Sequence, residues 1–362
     1  MYPFKGENPY IRNSWYVAAF SNELDDGPIE RVVMDEPIAM FRMSDGTPAA
    51  MYGICPHRYY PLAKGKVIGS SIQCNYHGFA FDGHNGGCTR VPSQGVAPPG
   101  FRQRVYPFVE HGPWLWIWPG DPAKADKALL PSLEDLGVGP GWRVDHVGLL
   151  PTAGRAQLMI ENVMDLTHVA YLHGTIVDGS TIVETPLKYT ETDDNITAGR
   201  MLNGPWVNGL YDVLYKPENR FDGLHVSQND TIYHCPGFVR TGGGIIQSIE
   251  QNDDVDRTVF GEQRFLHLMT PETTRSCHYF SSMARNYRLD DDAFTKLISE
   301  LDRAVRMQDV VAAGEIEDRL QRYPNLGPEL LVKSDAGAIL VRRRMQKNLD
   351  KEAAAKSQEV AK

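Results

Sequence analysis

The chain has few cysteines, no dominant charge of either sign and no long hydrophobic run, and each shortage removes a class of protein. Five cysteines, Cys55, Cys74, Cys88, Cys235 and Cys277, are an odd number scattered over 362 residues. That argues against a disulfide scaffold and leaves thiols available as metal ligands in a reducing compartment. With 37 basic against 46 acidic residues and a formal charge of −9, there is no electrostatic footprint for nucleic acid. The densest basic run, Arg342-Arg343-Arg344, is short and continues into Met345 and Leu349, so it reads as a solvated helix face. No apolar stretch reaches the length of a membrane span, and the start Met1-Tyr2-Pro3-Phe4-Lys5 lacks the apolar segment of a secretory signal. A cytoplasmic protein with no membrane partner is expected.

What is present is an ordinary globular composition, 42% hydrophobic and 10% aromatic, long enough for two domains each with its own core. From Trp15 to Trp118 short apolar or alternating runs at 30–33, 38–42, 49–53 and 114–117 are broken by Asp45-Gly46 and Asp82-Gly83, the pattern of a small all-β domain. Trp114, Trp116 and Trp118 alternate and should fill core. A stretch rich in Pro, Gly and charge at 119–140 reads as a linker. Beyond it, 156–170 is helical, 231–235, 244–249, 258–269 and 277–284 read as strands of an antiparallel sheet, and 291–319 is the longest helical stretch. In that stretch Phe294, Leu297, Ile298, Leu301, Val305 and Val311 recur at three- and four-residue steps, as a one-sided core face requires. The expected division is 1–120, 121–348 and a frayed tail at 349–362, where Lys, Ala, Glu and Gln dominate.

The sharpest signal is Cys55-Pro56-His57, then sixteen residues, then Cys74-Asn75-Tyr76-His77. Two Cys-plus-His pairs on neighbouring loops can clasp a [2Fe–2S] rhomb, one iron taking two thiolates and the other two imidazoles, which raises its potential above that of an all-thiolate cluster. A mononuclear zinc site is the competitor, because zinc accepts the same donors. Pro56, Pro61, Gly65, Gly69 and Gly78 punctuate the loops, and small residues there let backbone N–H groups approach cluster sulfurs. Cys88 reads as a small hydrophobe and His84 as an exposed turn residue.

A second constellation is Asn162, Asp165, His168 and His173. The first three recur every three residues, but the step of five from His168 to His173 would point the two imidazoles about 140° apart on an undistorted helix. The helix must bulge or end for both to reach one metal. Two histidines need one carboxylate to complete a facial triad that holds Fe(II) and leaves positions open for dioxygen and substrate. Asp165 is one candidate, or a partner of His168; Asp309, an acidic residue in an otherwise apolar helical stretch, is the other.

These motifs, with His267-Leu268-Met269-Thr270-Pro271-Glu272, Gln308-Asp309 and the run Ser334-Asp335 to Arg342-Arg343, resemble the Rieske non-haem iron aromatic-ring-hydroxylating oxygenases, in particular their oxidative demethylases. The likeness covers nearly the whole chain. It implies an α+β protein, an N-terminal all-β Rieske domain followed by a C-terminal helix-grip domain of antiparallel sheet and helices, assembled as a three-fold ring. It also implies Asp309 as the third iron ligand, and Asp165 as a bridge that hydrogen-bonds His168 in one subunit and His77 of the partner subunit. Electrons would come from NAD(P)H through a separate reductase, with or without a ferredoxin. Phe79 replaces the family's usual Trp, and Tyr59 and Tyr60 enlarge the first loop.

The expected activity is monooxygenation of a methyl or alkyl group of an aromatic substrate, ending in O- or N-dealkylation. Ring dihydroxylation and benzylic methyl hydroxylation are the enzymatic alternatives. A pure Rieske electron-transfer protein is the alternative from another class, and it would carry the cluster's iron alone. Ile232, Ile246, Ile249, Phe265, His267, Phe280 and Asn286 are expected pocket residues, with His267 as a possible donor to a carboxylate or carbonyl.

Overall fold

Short apolar runs separated by Gly and Asp turns have little choice but to pair locally, and in the first part of the chain they do. The computed structural model describes residues 4–5, 9–177, 179–205, 224–243, 246–248 and 261–360. The first strands in order are β1 (Tyr16–Phe20), β2 (Ile29–Val33), β3 (Glu36–Arg42), β4 (Pro48–Tyr52), β5 (Lys66–Ile68), β6 (Ser71–Gln73), β7 (Ala80–Asp82), β8 (Cys88–Arg90), β9 (Val105–Tyr106), β10 (Phe108–His111) and β11 (Trp114–Ile117). They form sheets ordered β1-β11-β10, β2-β3-β4-β9 and β5-β6-β7-β8, with antiparallel pairing throughout. The unit comprises Asn8–Leu130 with Thr270–Thr274. Trp114, Trp116 and Trp118 are buried as expected, and the indole N–H groups of Trp116 and Trp118 donate to the carbonyls of His111 (3.1 Å) and Asp121 (2.9 Å).

The stretch read as a linker contains two 3-10 turns, Pro122–Lys124 and Lys127–Leu129, capped by the Asp121 and Asp126 side chains. Pro131–Met269 and Arg275–Lys362 belong to the second unit. Its elements run β12 (Arg143–Thr152), α1 (Ala156–Met164), α2 (Val169–Leu172), α3 (Ser180–Glu184), β13 (Lys188–Glu191), β14 (Ile196–Pro205), β15 (Leu224–Cys235), β16 (Phe238–Gly243), β17 (Ile246–Ser248), β18 (Gln263–Thr273), β19 (Ser276–Arg285), α4 (Asp292–Arg322) and α5 (Ala336–Val360). The strands make one antiparallel sheet ordered β12-β19-β18-β16-β15-β14-β13, with β17 also on β15. The α+β order is as expected.

Odd-numbered residues of β18 and β19 face α4: Met283 packs with Phe294 and Ile298, and Ser281 Oγ lies 3.5 Å from Asp302. The buried face of α4 differs from the one periodicity suggested. Leu297 and Val311 are exposed, while Asp302, Arg306, Asp309 and Glu317 join Phe294 and Ile298 inside. Hydrophobicity misplaces the stripe because polar residues occupy the core side and find partners there. The tail also differs from expectation. Residues 349–360 continue α5, and Leu349 and Glu352 are buried. Arg342, expected on a solvated face, is instead half-buried and forks onto Glu161 of α1 through 2.7 and 2.5 Å bonds.

Candidate functional site

The two cluster loops are built alike. In the first, the Cys55 N–H donates to the Tyr60 carbonyl (2.9 Å) and the Cys55 carbonyl accepts from the Tyr59 N–H (2.9 Å). In the second, the Cys74 N–H donates to Phe79 (2.8 Å) and its carbonyl accepts from Gly78 (3.0 Å). The residue four places after each cysteine is left-handed, Tyr59 at φ 60° and Gly78 at φ 74°. The cysteines are buried while His77 is exposed, and the His57 and His77 rings meet edge-on at 4.6 Å. Phe79 packs at 4.5 Å from His57, and Tyr76 lies 3.9 Å from His77. Burial pushes the Cys55 thiol up to about 11, with the adjacent Cys74 adding to the rise. Such a thiol becomes a thiolate readily when positive charge lies beside it, which a cluster iron would supply. The donor set therefore fits a [2Fe–2S] cluster with its thiolate end inside and its imidazole end outward. Cys88 is half-buried, its thiol 3.4 Å from the Arg90 carbonyl.

In the second unit the helical cassette breaks as its spacing demands. α1 ends where Asp165 turns extended (φ −124°, ψ 100°). The chain resumes as a 3-10 turn, Leu166–His168, runs into α2, and leaves helix at His173. This change of winding brings the His168 and His173 rings to 5.1 Å centroid separation, 78° between planes. α4 delivers Asp309 between them: its Oδ1 lies 3.4 Å from His168 Nε2 and 3.1 Å from His173 Nε2, and the three donor atoms are within 4.8 Å of one another.

The opposite ring nitrogens are already committed. His168 Nδ1 meets the Asp165 main-chain carbonyl (2.7 Å) and His173 Nδ1 meets Gln308 Oε1 (2.8 Å). Both acceptors require Nδ1–H, so in the neutral rings both Nε2 atoms present lone pairs toward one carboxylate oxygen. Without a cation that arrangement repels itself; with Fe(II) it is a ligand set. Burial alone would raise the Asp309 carboxyl, but the two histidines hold it well below the usual range. Burial alone would lower His173, but Asp309 raises it. Asn162 Nδ2 donates to Asp309 Oδ1 at 2.9 Å.

Three expectations are altered. The bond between Asp165 and His168 is made by the main-chain carbonyl, because the Asp165 carboxylate instead caps the 3-10 turn, accepting from the Thr167 N–H at 2.9 Å. Of the expected pocket residues, Phe265 and His267 share the α4-facing side, whereas Ile232, paired with Arg240, and Phe280, paired with Leu149, occupy the other side by strand alternation. Asn286 is at an exposed strand end, accepting from the Glu262 N–H (2.7 Å). Ile246 pairs with Ser227 in the ladder, its side chain lying outside the described residues, as does Ile249 entirely.

The comparisons agree with the geometry. Residues 14–107 match the Rieske [2Fe-2S] domain model and residues 153–351 the vanillate O-demethylase oxygenase C-terminal domain model. The oxygenase component of dicamba O-demethylase from Stenotrophomonas maltophilia is 31% identical, covering 95% of this chain and 99% of that one. A vanillate O-demethylase oxygenase subunit from a Pseudomonas species is 29% identical over 90% of this chain and 98% of its own. A crystal structure of dicamba monooxygenase bound to dicamba superposes with a TM-score of 0.82 at 31% identity, covering 95% of this chain and 99% of that chain. With both motifs in place and the match spanning nearly its whole length, the chain belongs to the Rieske non-haem iron oxygenases, in the group of vanillate O-demethylase and dicamba monooxygenase.

Proposed function

We propose that the chain is the terminal oxygenase component of a multicomponent system that removes an alkyl group oxidatively from an aromatic substrate. Cys55, His57, Cys74 and His77 hold the cluster within 1–120, and His168, His173 and Asp309 hold the mononuclear iron within 121–348. The observation that carries this reading is the pair of Nε2 lone pairs aimed at one oxygen of Asp309, each fixed by an acceptor on its other nitrogen. The metals supply dioxygen activation and one-electron transfer. In the overall change an aryl methyl ether, or an N-methyl amine, reacts with dioxygen, two electrons and two protons to give the phenol or demethylated amine, formaldehyde and water.

The chain's own residues position and insulate. Gln308 and the Asp165 carbonyl lock the imidazole tautomers, and Asn162 steadies Asp309. The exposed edge of His77 is where an electron leaves. Asp165 is the bridge to His77 of the partner subunit in a homotrimer, and its carbonyl contact leaves the carboxylate off the imidazole of His168. NAD(P)H-derived electrons reach the cluster from a separate reductase, directly or through a ferredoxin. We place the protein in the cytoplasm, a reducing compartment that suits thiolate ligation of a cluster and a chain without disulfides among the described residues.

The test is a panel of methoxylated and N-alkylated aromatics incubated with a donor protein and dioxygen. Aldehyde release is expected. A cis-diol as sole product would replace dealkylation by ring dihydroxylation, and an iron content equal to that of the cluster alone would reduce the protein to an electron carrier.

A further inference from the structure

The three residues at the mononuclear site are delivered by separate segments, which have to be held in step. α1 leads through its break at Asp165 into His168 and His173, whereas Asp309 comes from α4. Asp309 Oδ1 stands 3.4 and 3.1 Å from the two Nε2 atoms, and metal–ligand distances tolerate only about 0.2 Å. A slip of one residue along a helix is about 1.5 Å. Apolar packing is non-directional, so it does not by itself set that register.

About two helical turns from Asp309 the same helices meet in a charged fork. Arg155, the cap residue at the start of α1, donates from Nε to Glu317 Oε2 at 2.6 Å and from Nη2 to Glu317 Oε1 at 2.7 Å. Glu317, on α4, is 1% exposed, and its Oε1 also accepts from Gln321 Nε2 at 3.2 Å. The helix from Arg155 to Asn162 is about 10.5 Å long, and from Glu317 back to Asp309 about 12 Å. The fork and the 2.9 Å bond from Asn162 to Asp309 are therefore the two ends of one antiparallel seam. Beside the fork the backbones nearly touch: a Cβ on Gly154 would lie 2.9 Å from the Ala313 carbonyl oxygen and 3.1 Å from the Ala313 Cβ.

We propose that Arg155 and Glu317 are positioning residues for the mononuclear iron: their fork fixes the register of α1 against α4 and so sets where Asp309 stands between His168 and His173. This rests on the reading of those three residues as the iron ligands. The pair acts through the helices that carry the ligands, not by touching the metal. Two parallel N–H···O bonds to one carboxylate are satisfied in a single relative placement, a constraint that apolar contacts do not impose. A buried ion pair is a weak source of stability, because apolar residues of similar volume often replace it without loss. What the fork adds at this seam is placement.

The experiment titrates Fe(II) into full-length protein that keeps its cluster but has been stripped of mononuclear iron, with urea midpoints measured on the same samples. E317Q and R155K should each weaken Fe(II) binding about 10-fold, the lower end of the range for groups that orient metal ligands, with cluster absorption unchanged. R155M/E317M should regain the urea midpoint lost in the single variants and still bind Fe(II) weakly, a split that a purely structural pair would not produce. Should a single variant misfold with one charge left unpaired, R155M/E317M removes both charges and decides alone. D145N, which takes a carboxylate from the buried Arg285 at the far end of β12, is the control: it should lower the midpoint and leave Fe(II) binding at the native level. Native Fe(II) affinity in R155M/E317M, or an equal loss of affinity in D145N, overturns the proposal. Native protein that holds only the cluster's iron overturns the ligand reading and the proposal with it, a result distinct from tight Fe(II) binding by the double variant.

Discussion

At His168 and His173 the nitrogen that faces away from the metal decides what the other nitrogen can do. Gln308 contributes only an amide oxygen 2.8 Å from His173 Nδ1, yet it fixes the tautomer on which ligation depends. Q308A should weaken mononuclear iron binding roughly 10- to 100-fold, in the range for partners of metal-bound imidazoles, with the cluster's visible absorption unchanged; iron titration of the apo-site protein measures it. D309N should lose mononuclear iron while keeping the cluster. The ligands themselves were legible because Cys and His are scarce and their spacing is demanding, and Asp309 stood out as an acid in an apolar run. The pocket was less legible, because Ile232 and Phe280 differ from Phe265 and His267 only in which side of a strand they take. That parity is set by pairing register, such as Thr231 with Thr241 and Ile232 with Arg240, which no local pattern of residues announces.

At the scale of elements, the cluster loops offer an internal comparison, since Tyr59 and Gly78 occupy the same place four residues after a cysteine. A Cβ on Gly78 would lie 2.9 Å from Pro92 Cγ at φ +74°, so G78A meets both a left-handed cost of about 1–2 kcal/mol and a clash. Tyr59 already bears the left-handed cost with its side chain in solvent, so Y59G should hold the cluster at least as well as the native chain. Thermal loss of visible absorption in full-length protein should come earlier in G78A and not in Y59G. The cassette around His168 shows how an element boundary was predictable in existence but not in form. A step of five demanded a break, and the break is a 3-10 turn set by an extended Asp165 and capped by that residue's own carboxylate. α4 shows the opposite case: its length was plain, but its inner face carries Asp302, Arg306, Asp309 and Glu317, so hydrophobic periodicity pointed partly outward.

For the whole molecule, stability and turnover should report on groups far from either metal and on assembly. Burial holds His234 down to about 4, against the weaker pull of Asp135. A histidine whose folded pKa is depressed is protonated first in the unfolded chain, so it leaves stability intact above about 6.5 and removes it progressively down to about 4. The expected loss is on the order of 3 kcal/mol over that window, read from urea midpoints at stepped pH, and H234F, stacked on Phe238 as the native ring is, should flatten the slope. D165N should keep both metals, since the Asp165 carbonyl still holds His168, yet nearly abolish turnover; full single-turnover activity in D165N would sink the bridging role. The sequence by itself determined the chemistry: which donors exist, how many metals they can hold, and that a small all-β unit precedes a sheet-and-helix unit. These follow from residue type and short spacing, which local sterics read directly. Only the tertiary structure decided which nitrogen of His168 and His173 faces Asp309, which side of each strand faces α4, and that Arg306 pairs with Asp302 on the buried face of that helix. Those outcomes depend on strand register and on contacts between residues far apart in the chain, and neither leaves a periodic trace in the sequence.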